Sequence, residues 1–512
     1  MNLMVSDLDY GQEPSLEPNL DPYALAKALS GRHLIGGKLV QAASGKTFEV
    51  IYPATGEIIG FGAAGDAEDV NRAVEDAAAA QKAWGKMRAR DRGKLLYKCA
   101  EALEEHVEEL GRLIALETGK ALRTESRVEA SILADAFHFH AGLGSELKGE
   151  TVPHHPDMLT ITVREPIGVV GAIIPWNVPL LLMALKIAPA MLAGNAVVVK
   201  SAEEAPLTVL RVCQIMNSIL PPGIFNMLSG FGPECGAPLV EHKKVGKVTF
   251  TGSVETGKIV YRTAADKLIP VTLELGGKSP MIVFEDANLD NAVSGAQMAN
   301  FYSSGQICSN GTRVFVHEDV ADAFVEKLIA RSKDLVLGDP EKPETQVGPI
   351  VTKAQYEQIM SYIEIGKKEG ANCVLGGHAV TEGMPEGGLF VAPTVFTDCR
   401  DDMTIVREEI FGPVMSVLTF RDEEDVIKRA NDTQYGLAAG VFTKDLSRGH
   451  RVVAKLEAGT CWINTYNITP IEMPFGGVKK SGVGRENGRA AIEHYTRIKS
   501  VYVETGDVEA PY

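Results

Sequence analysis

The sequence predicts an α/β protein with two doubly wound parallel-sheet domains and a small separate β element. Three observations predict it. Short apolar runs alternate with helical patterns from about 165 to 285 and again from about 280 to 490, the order expected of parallel sheets covered on both faces. The 512 residues exceed what one core normally organises. Two segments that alternate apolar and polar residues, 158–164 and 500–503, fall outside both series and read as two-faced strands.

Each element follows in order. Residues 1–30 read as a poorly ordered arm, acidic and Pro-containing (Asp7, Asp9, Glu13, Pro14, Glu17, Pro18), with a helix over 22–29. No basic stretch precedes an apolar one, so a signal peptide is not expected. From about 66 to 145 the pattern is helical. Asp66 and Glu68 open an amphipathic helix carrying Val70, Ala73, Val74, Ala77, Ala78 and Trp84 at helical spacing. Leu95, Leu96, Ala100 and Leu103, then Leu110, Leu113 and Ile114, continue the period, and two further helices are expected to follow.

In the first α/β series the expected strands are 169–174, 196–199, 225–228, 248–250 and 271–273. Helices intervene near 180–193, 206–219, 234–242 and 254–265. The run at 169–174 is apolar throughout, as a strand buried on both faces must be. The second series places strands at 281–284, 312–317, 373–375, 414–420, 440–442 and 460–463. The chain thus divides into an arm (1–30), a first domain (31–149 and 169–278), a second domain (279–490) and separate strands within 150–168 and 491–512.

Bulk properties exclude several functions. With 45% apolar and 23% charged residues the chain is globular. Its net charge of −16 disfavours a nucleic-acid partner, which needs a basic face. No apolar run reaches the roughly 18 residues of a membrane span. Seven scattered cysteines without a C-x-x-C pair argue for reduced thiols and a cytoplasmic location. His154 and His155 lie on a Pro-flanked loop and His138 and His140 on one helix surface, without a carboxylate at ligand spacing, so no metal is expected.

Chemistry concentrates in three places. Cys308 stands in Gly305-Gln306-Ile307-Cys308, Glu274 in Leu273-Glu274-Leu275-Gly276-Gly277-Lys278, and Asn177 ends Pro175-Trp176-Asn177 after an apolar strand. A lone thiol after a glycine turn is ordinarily packing. Together with a carboxyl on a Gly-Gly turn and an amide at a strand end, it supplies nucleophile, water-activating base and oxyanion donor. A further turn, Phe250-Thr251-Gly252-Ser253-Val254-Glu255-Thr256-Gly257, ends one strand and opens a helix whose free N–H groups favour an anion. Taken alone it is a weak nucleotide signal. Lys200 and Glu203, just beyond a buried strand, strengthen it, although a solvated surface pair is the alternative.

With their flanking residues, these motifs closely resemble the NAD(P)-dependent aldehyde dehydrogenase superfamily over about 35–503. The resemblance implies an aldehyde-dehydrogenase-like fold with a Rossmann-like cofactor domain, a catalytic thiol domain and a small β oligomerisation domain. The separate strands would extend a neighbouring subunit's sheet, giving a dimer or dimer of dimers. It implies NAD contacts at Ile174, Pro175, Trp176, Asn177, Lys200, Glu203, Gly232, Thr251, Gly252, Ser253, Leu275, Glu409 and Phe411. A carboxylate at Glu203 accepts from ribose hydroxyls and repels a 2′-phosphate, which favours NAD over NADP. Cys308 would attack the aldehyde, Asn177 and the Cys308 N–H would stabilise the oxyanion, and Glu274 would activate water against the thioester. Lys186 and Glu472 match residues proposed to relay protons, against the alternatives of a snorkelling lysine and a solvated loop carboxylate.

The segment 462–488 resembles betaine aldehyde and trimethylaminobutyraldehyde dehydrogenases, which recognise a quaternary ammonium. Such members carry an aromatic after the asparagine and a tryptophan further along the helix, where this chain has Val178 and Leu185. The expected pocket is Val178, Leu181, Leu182, Leu185, Ile307, Ser309, Ile468, Thr469 and Phe475, suited to a neutral apolar aldehyde of some bulk. A trimethylammonium aldehyde is the alternative substrate. A CoA-acylating enzyme would not need Glu274, and a non-enzymatic structural or ligand-binding relative would have lost its nucleophile or base.

Overall fold

The computed structural model describes residues 4, 5, 8, 10 and 13–512. The rest of the expected arm, including Asp7 and Asp9, lies outside the described residues. Five strands form the parallel centre of the first sheet. In spatial order they are Val271–Glu274, Val245–Thr251, Val169–Ile173, Ala196–Lys200 and Phe225–Leu228. The chain runs from Val169–Ile173 outward to Phe225–Leu228, then returns to build the other half. The order therefore reverses beside Val169–Ile173, and a crevice is expected outside the carboxyl ends of the two strands at that point, where the chain leaves them in opposite directions.

Three short strands extend this sheet beyond the predicted set. His33–Ile35 and Lys38–Val40 form a hairpin across Gly36-Gly37, both with positive φ (62° and 76°), and join the Phe225–Leu228 edge. Gly482–Val483, expected within the second domain, instead pairs antiparallel with Leu273 and Glu274. A separate hairpin, Thr47–Ile51 with Ile58–Ala63, was not anticipated either. These pieces are too short or too glycine-rich to show a periodic pattern.

The second sheet contains Asn372–Leu375, Thr394–Thr397, Val414–Phe420, Arg313–His317, Pro280–Val283, Ala438–Phe442 and Thr460–Ile463, in that order. All pairs are parallel except the first. Thr394–Thr397 escaped the sequence reading because four residues after a proline carry little pattern. Apolar clusters cover both faces, one centred on Phe396, Ile405 and Leu418, the other on Val293, Phe324 and Phe442. Met158–Pro166 and Thr496–Glu504 pair antiparallel as a ribbon apart from both sheets.

The helical region is Ala67–Trp84, Ala89–Glu105, Val107–Thr118 and Arg127–Gly142. Asp66 closes a capping box on the first. After Val107–Thr118 a single α-helix follows rather than two, entered through a π-type turn at Leu122–Ser126.

The arm is ordered where it is described. Asp21 accepts from the Tyr23 and Ala24 N–H groups and caps Pro22–Leu29, whose Leu25, Ala26 and Leu29 enter the main core. Ahead of it, buried Arg211 donates to the Ser15 carbonyl (2.7 Å) and the Glu17 carbonyl (3.2 Å), and Gln214 donates to that of Pro14 (2.9 Å). A buried guanidinium has five N–H groups to satisfy, and Glu109 takes only two of the bonds. The arm's two carbonyls and Gln214 Oε1 (2.8 Å) complete the set, which the arm's acidic composition did not reveal.

Candidate active site

The crevice at the strand-order reversal is flanked by Pro175-Trp176-Asn177 and by Thr251-Gly252-Ser253. Ser253 caps the helix Val254–Asp266 by accepting from Thr256 N–H. A cavity of about 290 Å³ opens there. Pro175, Trp176, Asn177, Thr251, Gly252, Ser253 and Leu275 line it from the first sheet. Glu409 and Phe411 close it from the second domain, where Phe411 meets the Trp176 ring edge to face (5.5 Å between centroids). Gln355 and Gln358, on the helix Lys353–Lys368, also line it and carried no sequence signal. Gln355 Nε2 donates to the Ile410 and Phe411 carbonyls at 3.0 and 3.1 Å, fixing that turn. Phe411 itself sits at φ 56°, an unfavourable region for a non-glycine residue that its neighbours must impose.

Four expected cofactor residues do not line this cavity: Ile174, Lys200, Glu203 and Gly232. They lie along the same carboxyl edge. Ile174 is buried and donates its N–H to the Lys200 carbonyl (3.2 Å). Lys200 pairs with Glu203 at 3.2 Å, and Gly232 opens the turn after the next strand.

The features present fit a dinucleotide: a helix start with its N–H groups at a crevice, a carboxyl at 409 and a flanking aromatic pair. Glu409 accepts from the Gly277 N–H (2.9 Å), and desolvation pushes its carboxyl up to about 7 against the pull of Gly277 and Lys278.

Cys308 arrives on a tightly constrained loop. Ser303 and Ser304 both have positive φ (53° and 52°). Gly305, at φ 75°, packs against the Gly412 carbonyl so closely that a Cβ would overlap it. A Cβ on Gly277 would lie 2.5 Å from the Cys308 carbonyl oxygen, so the turn after Glu274 and the Cys308 loop meet backbone to backbone. The Asn177 amide donates to the Gln306 carbonyl (2.8 Å), which leaves its second N–H for another acceptor.

Burial pushes the Cys308 thiol up to about 12, with Glu409 and Glu274 adding to the rise and the Cys308 and Ser309 N–H groups opposing it. Glu274 is buried, and among the described residues neither of its oxygens is in hydrogen-bond geometry. Its pKa stands well above the carboxylate range, first from desolvation and then from Glu486. Lys186, Arg485 and the Gly477 N–H pull the other way.

The expected Lys186–Glu472 relay is not what the structure shows. Glu472 is exposed on the turn after Pro470. Lys186, wholly buried on the helix Pro179–Leu192, pairs with Glu486 and donates to Thr251 Oγ1 (2.7 Å). Thr249 Oγ1 donates to the same Glu486 oxygen at 3.1 Å. A buried lysine takes the carboxylate that can reach it under cover, and Gly482–Val483 brings Glu486 across to the first sheet. In sequence, Arg485-Glu486-Asn487 between glycines reads as a surface turn.

A second cavity, about 480 Å³, lies on the other side of the thiol. Every expected pocket residue lines it: Val178, Leu181, Leu182 and Leu185 from one helix, Ile307 and Ser309 beside the thiol, and Ile468, Thr469 and Phe475 from the last segment. Val128, Ile132, Met298 and Tyr302 add to the apolar wall and were missed, because only the fold brings them near Cys308; Lys120, Glu129, Asp135 and Glu472 also line the cavity. Asn177 and Cys308 line both cavities and form the junction between them.

A thiol at the junction of a strand-edge crevice and an apolar cavity, with a buried carboxyl on the crevice side, defines an enzyme that forms a covalent bond to a substrate beside a cofactor. The comparisons name its family. Residues 39–501 match the aldehyde dehydrogenase family, and the chain belongs to it. It is similar to the betaine aldehyde dehydrogenases of Brucella anthropi (49% identity) and Cereibacter sphaeroides (50%), each over 94% of this chain and 98% of the relative. Among solved structures, the NAD+ complex of an aldehyde dehydrogenase from Bacillus cereus matches with a TM-score of 0.91 and 44% identity, covering 93% of this chain and 97% of that one. The betaine aldehyde dehydrogenase of Staphylococcus aureus with NAD+ matches at 0.94 and 39%, covering 96% and 98%.

Proposed function

We propose that this aldehyde dehydrogenase uses NAD to oxidise a neutral, apolar aldehyde to its carboxylic acid through a thioester on Cys308. The carrying observation is the junction: Cys308 and Asn177 face an apolar cavity on one side and the cofactor crevice on the other. NAD supplies the hydride acceptor. Its nicotinamide end would be held by Glu409, Phe411 and Trp176, and its phosphates by the Gly252-Ser253 helix start.

Each remaining step belongs to the protein's own groups. The Cys308 thiol gives up its proton to water, its sulfur adds to the aldehyde carbon, and the free Asn177 N–H with the Cys308 N–H stabilises the oxygen that becomes negative. When the carbon has lost its hydride, a thioester joins it to Cys308. Glu274, as a carboxylate, takes a proton from water, the resulting hydroxide displaces sulfur as thiolate, and the acid leaves as the thiolate takes a proton back from water. The high pKa of Glu274 makes its carboxylate a stronger base than an ordinary one. The Lys186–Glu486 pair, next to Thr251, gives that proton a buried exit.

The substrate class follows from the walls. Positions 178 and 185 are aliphatic, and the cavity's aromatic side chains are Tyr302 and Phe475. A quaternary ammonium loses hydration on entry and needs several aromatic faces to recover it. The betaine-aldehyde relatives favour the second reading, a trimethylammonium aldehyde held between Tyr302 and Phe475. An NADH-production screen across medium-chain, cyclic and aromatic aldehydes and betaine aldehyde separates the two. Faster turnover of betaine aldehyde than of every apolar aldehyde would reject the apolar reading.

The same reading makes the enzyme a homo-oligomer, dimer or dimer of dimers, joined through the ribbon, on which Ile498 and Tyr502 are 62% and 70% exposed. It places the enzyme in the cytoplasm, which the seven free thiols support. Among the described residues no helix is long and apolar enough to cross a membrane.

A further inference from the structure

The helix Pro179–Leu192 forms one wall of the apolar cavity and carries Lys186. Its first N–H groups need acceptors, yet its N-cap residue is Val178, whose side chain offers none. Glu129, on the helix Arg127–Gly142, supplies the missing acceptor. Its Oε1 accepts from Leu180 N–H (2.7 Å) and Leu181 N–H (3.3 Å). Its other oxygen is bound by the Lys120 ammonium, and both side chains are about 5% exposed or less.

The molecule contains its own control. Helix Pro206–Asn217 also begins at a residue without an acceptor, Ala205, and buried Glu117 accepts from Leu207 N–H (2.6 Å) and Thr208 N–H (2.9 Å). Glu117 lines neither cavity; Lys120 and Glu129 both line the apolar one. Position 178 also faces that cavity, where a Ser, Thr or Asp cap would add a further polar group, without the cation that Lys120 gives Glu129. Moving the cap to Glu129 frees position 178 to be apolar.

We infer that Glu129, held by Lys120, is a positioning residue for aldehyde binding, fixing the first turn of the pocket helix so that Val178 and Leu181 keep their places in the wall. This rests on the apolar cavity being the aldehyde site.

The test uses the full chain, with whichever of octanal and betaine aldehyde the unmodified enzyme oxidises, so that a wrong substrate class is seen separately. Glu129→Ala should raise the aldehyde KM about tenfold while leaving the NAD KM unchanged. Glu129→Gln keeps an acceptor oxygen and should hold the aldehyde KM within about threefold. Glu117→Ala should lower Tm without moving the aldehyde KM. An aldehyde KM unchanged in Glu129→Ala, or in Lys120→Met should the alanine variant fail to fold, overturns the inference. So does a Glu129→Gln variant as impaired as alanine.

Discussion

At the scale of single residues, the Cys308 thiol and the Glu274 carboxyl are held in states that differ from their ordinary ones for the same reason, burial. With its pKa raised to about 12, Cys308 is almost wholly protonated at neutral pH in the enzyme without cofactor. Its thiolate fraction then grows about tenfold per pH unit. Alkylation of Cys308 by iodoacetamide should therefore be slow at pH 7 and rise about 100-fold by pH 9, followed by mass spectrometry. A rate independent of pH over that range would mean the thiol is already ionised. Glu274→Gln should give a burst of NADH and then stall, because the hydride leaves before water attacks; stopped-flow absorbance reads it, and a lost burst would place Glu274 earlier in the reaction. Cys308, Glu274 and Asn177 were legible in the sequence because each is a polar residue at a glycine turn or a strand end. Glu486 was not. Its partner Lys186 lies 300 positions away, and only the fold brings the two together.

At the scale of elements, the two-residue strand Gly482–Val483 has the largest consequence for its size. It ties the end of the second domain to Leu273 and Glu274, and so delivers Glu486 to Lys186. Glu486→Gln should lower kcat about tenfold or more, while Glu472→Gln should stay within about twofold, both from steady-state NADH production. The opposite ranking would restore Glu472 as the relay carboxylate. The N-terminal arm is the other element whose role the sequence concealed. Arg211→Met removes the cation that holds both Glu109 and the arm's carbonyls. Leaving Glu109 buried without its partner costs about 3–5 kcal/mol, so Tm should fall by several degrees in a thermal melt. A melt unchanged from the parent enzyme would contradict the stabilising role of Arg211. The long periodic strands and helices were legible from apolar runs; the hairpins and the arm rest on turn glycines and hydrogen bonds that leave no periodic trace.

At the scale of the whole molecule, the strand-order reversal of the first sheet and the thiol loop of the second domain meet at one junction, with a crevice on one side and an apolar cavity on the other. The sequence anticipated the helix wall of that cavity through the family resemblance, which singled out Val178 and Leu185 as aliphatic where relatives are aromatic, with Leu181 and Leu182 on the same helix. It did not anticipate Tyr302 or Met298, which come from the far side of the thiol loop. The central claim is that this cavity selects neutral apolar aldehydes for oxidation on Cys308. The most direct test is kcat/KM for a series of straight-chain aldehydes against betaine aldehyde, all with NAD. Each added methylene should contribute about 0.8 kcal/mol, roughly fourfold, until the cavity is full, with betaine aldehyde below the medium-chain members. A flat series with betaine aldehyde at its head would contradict the account.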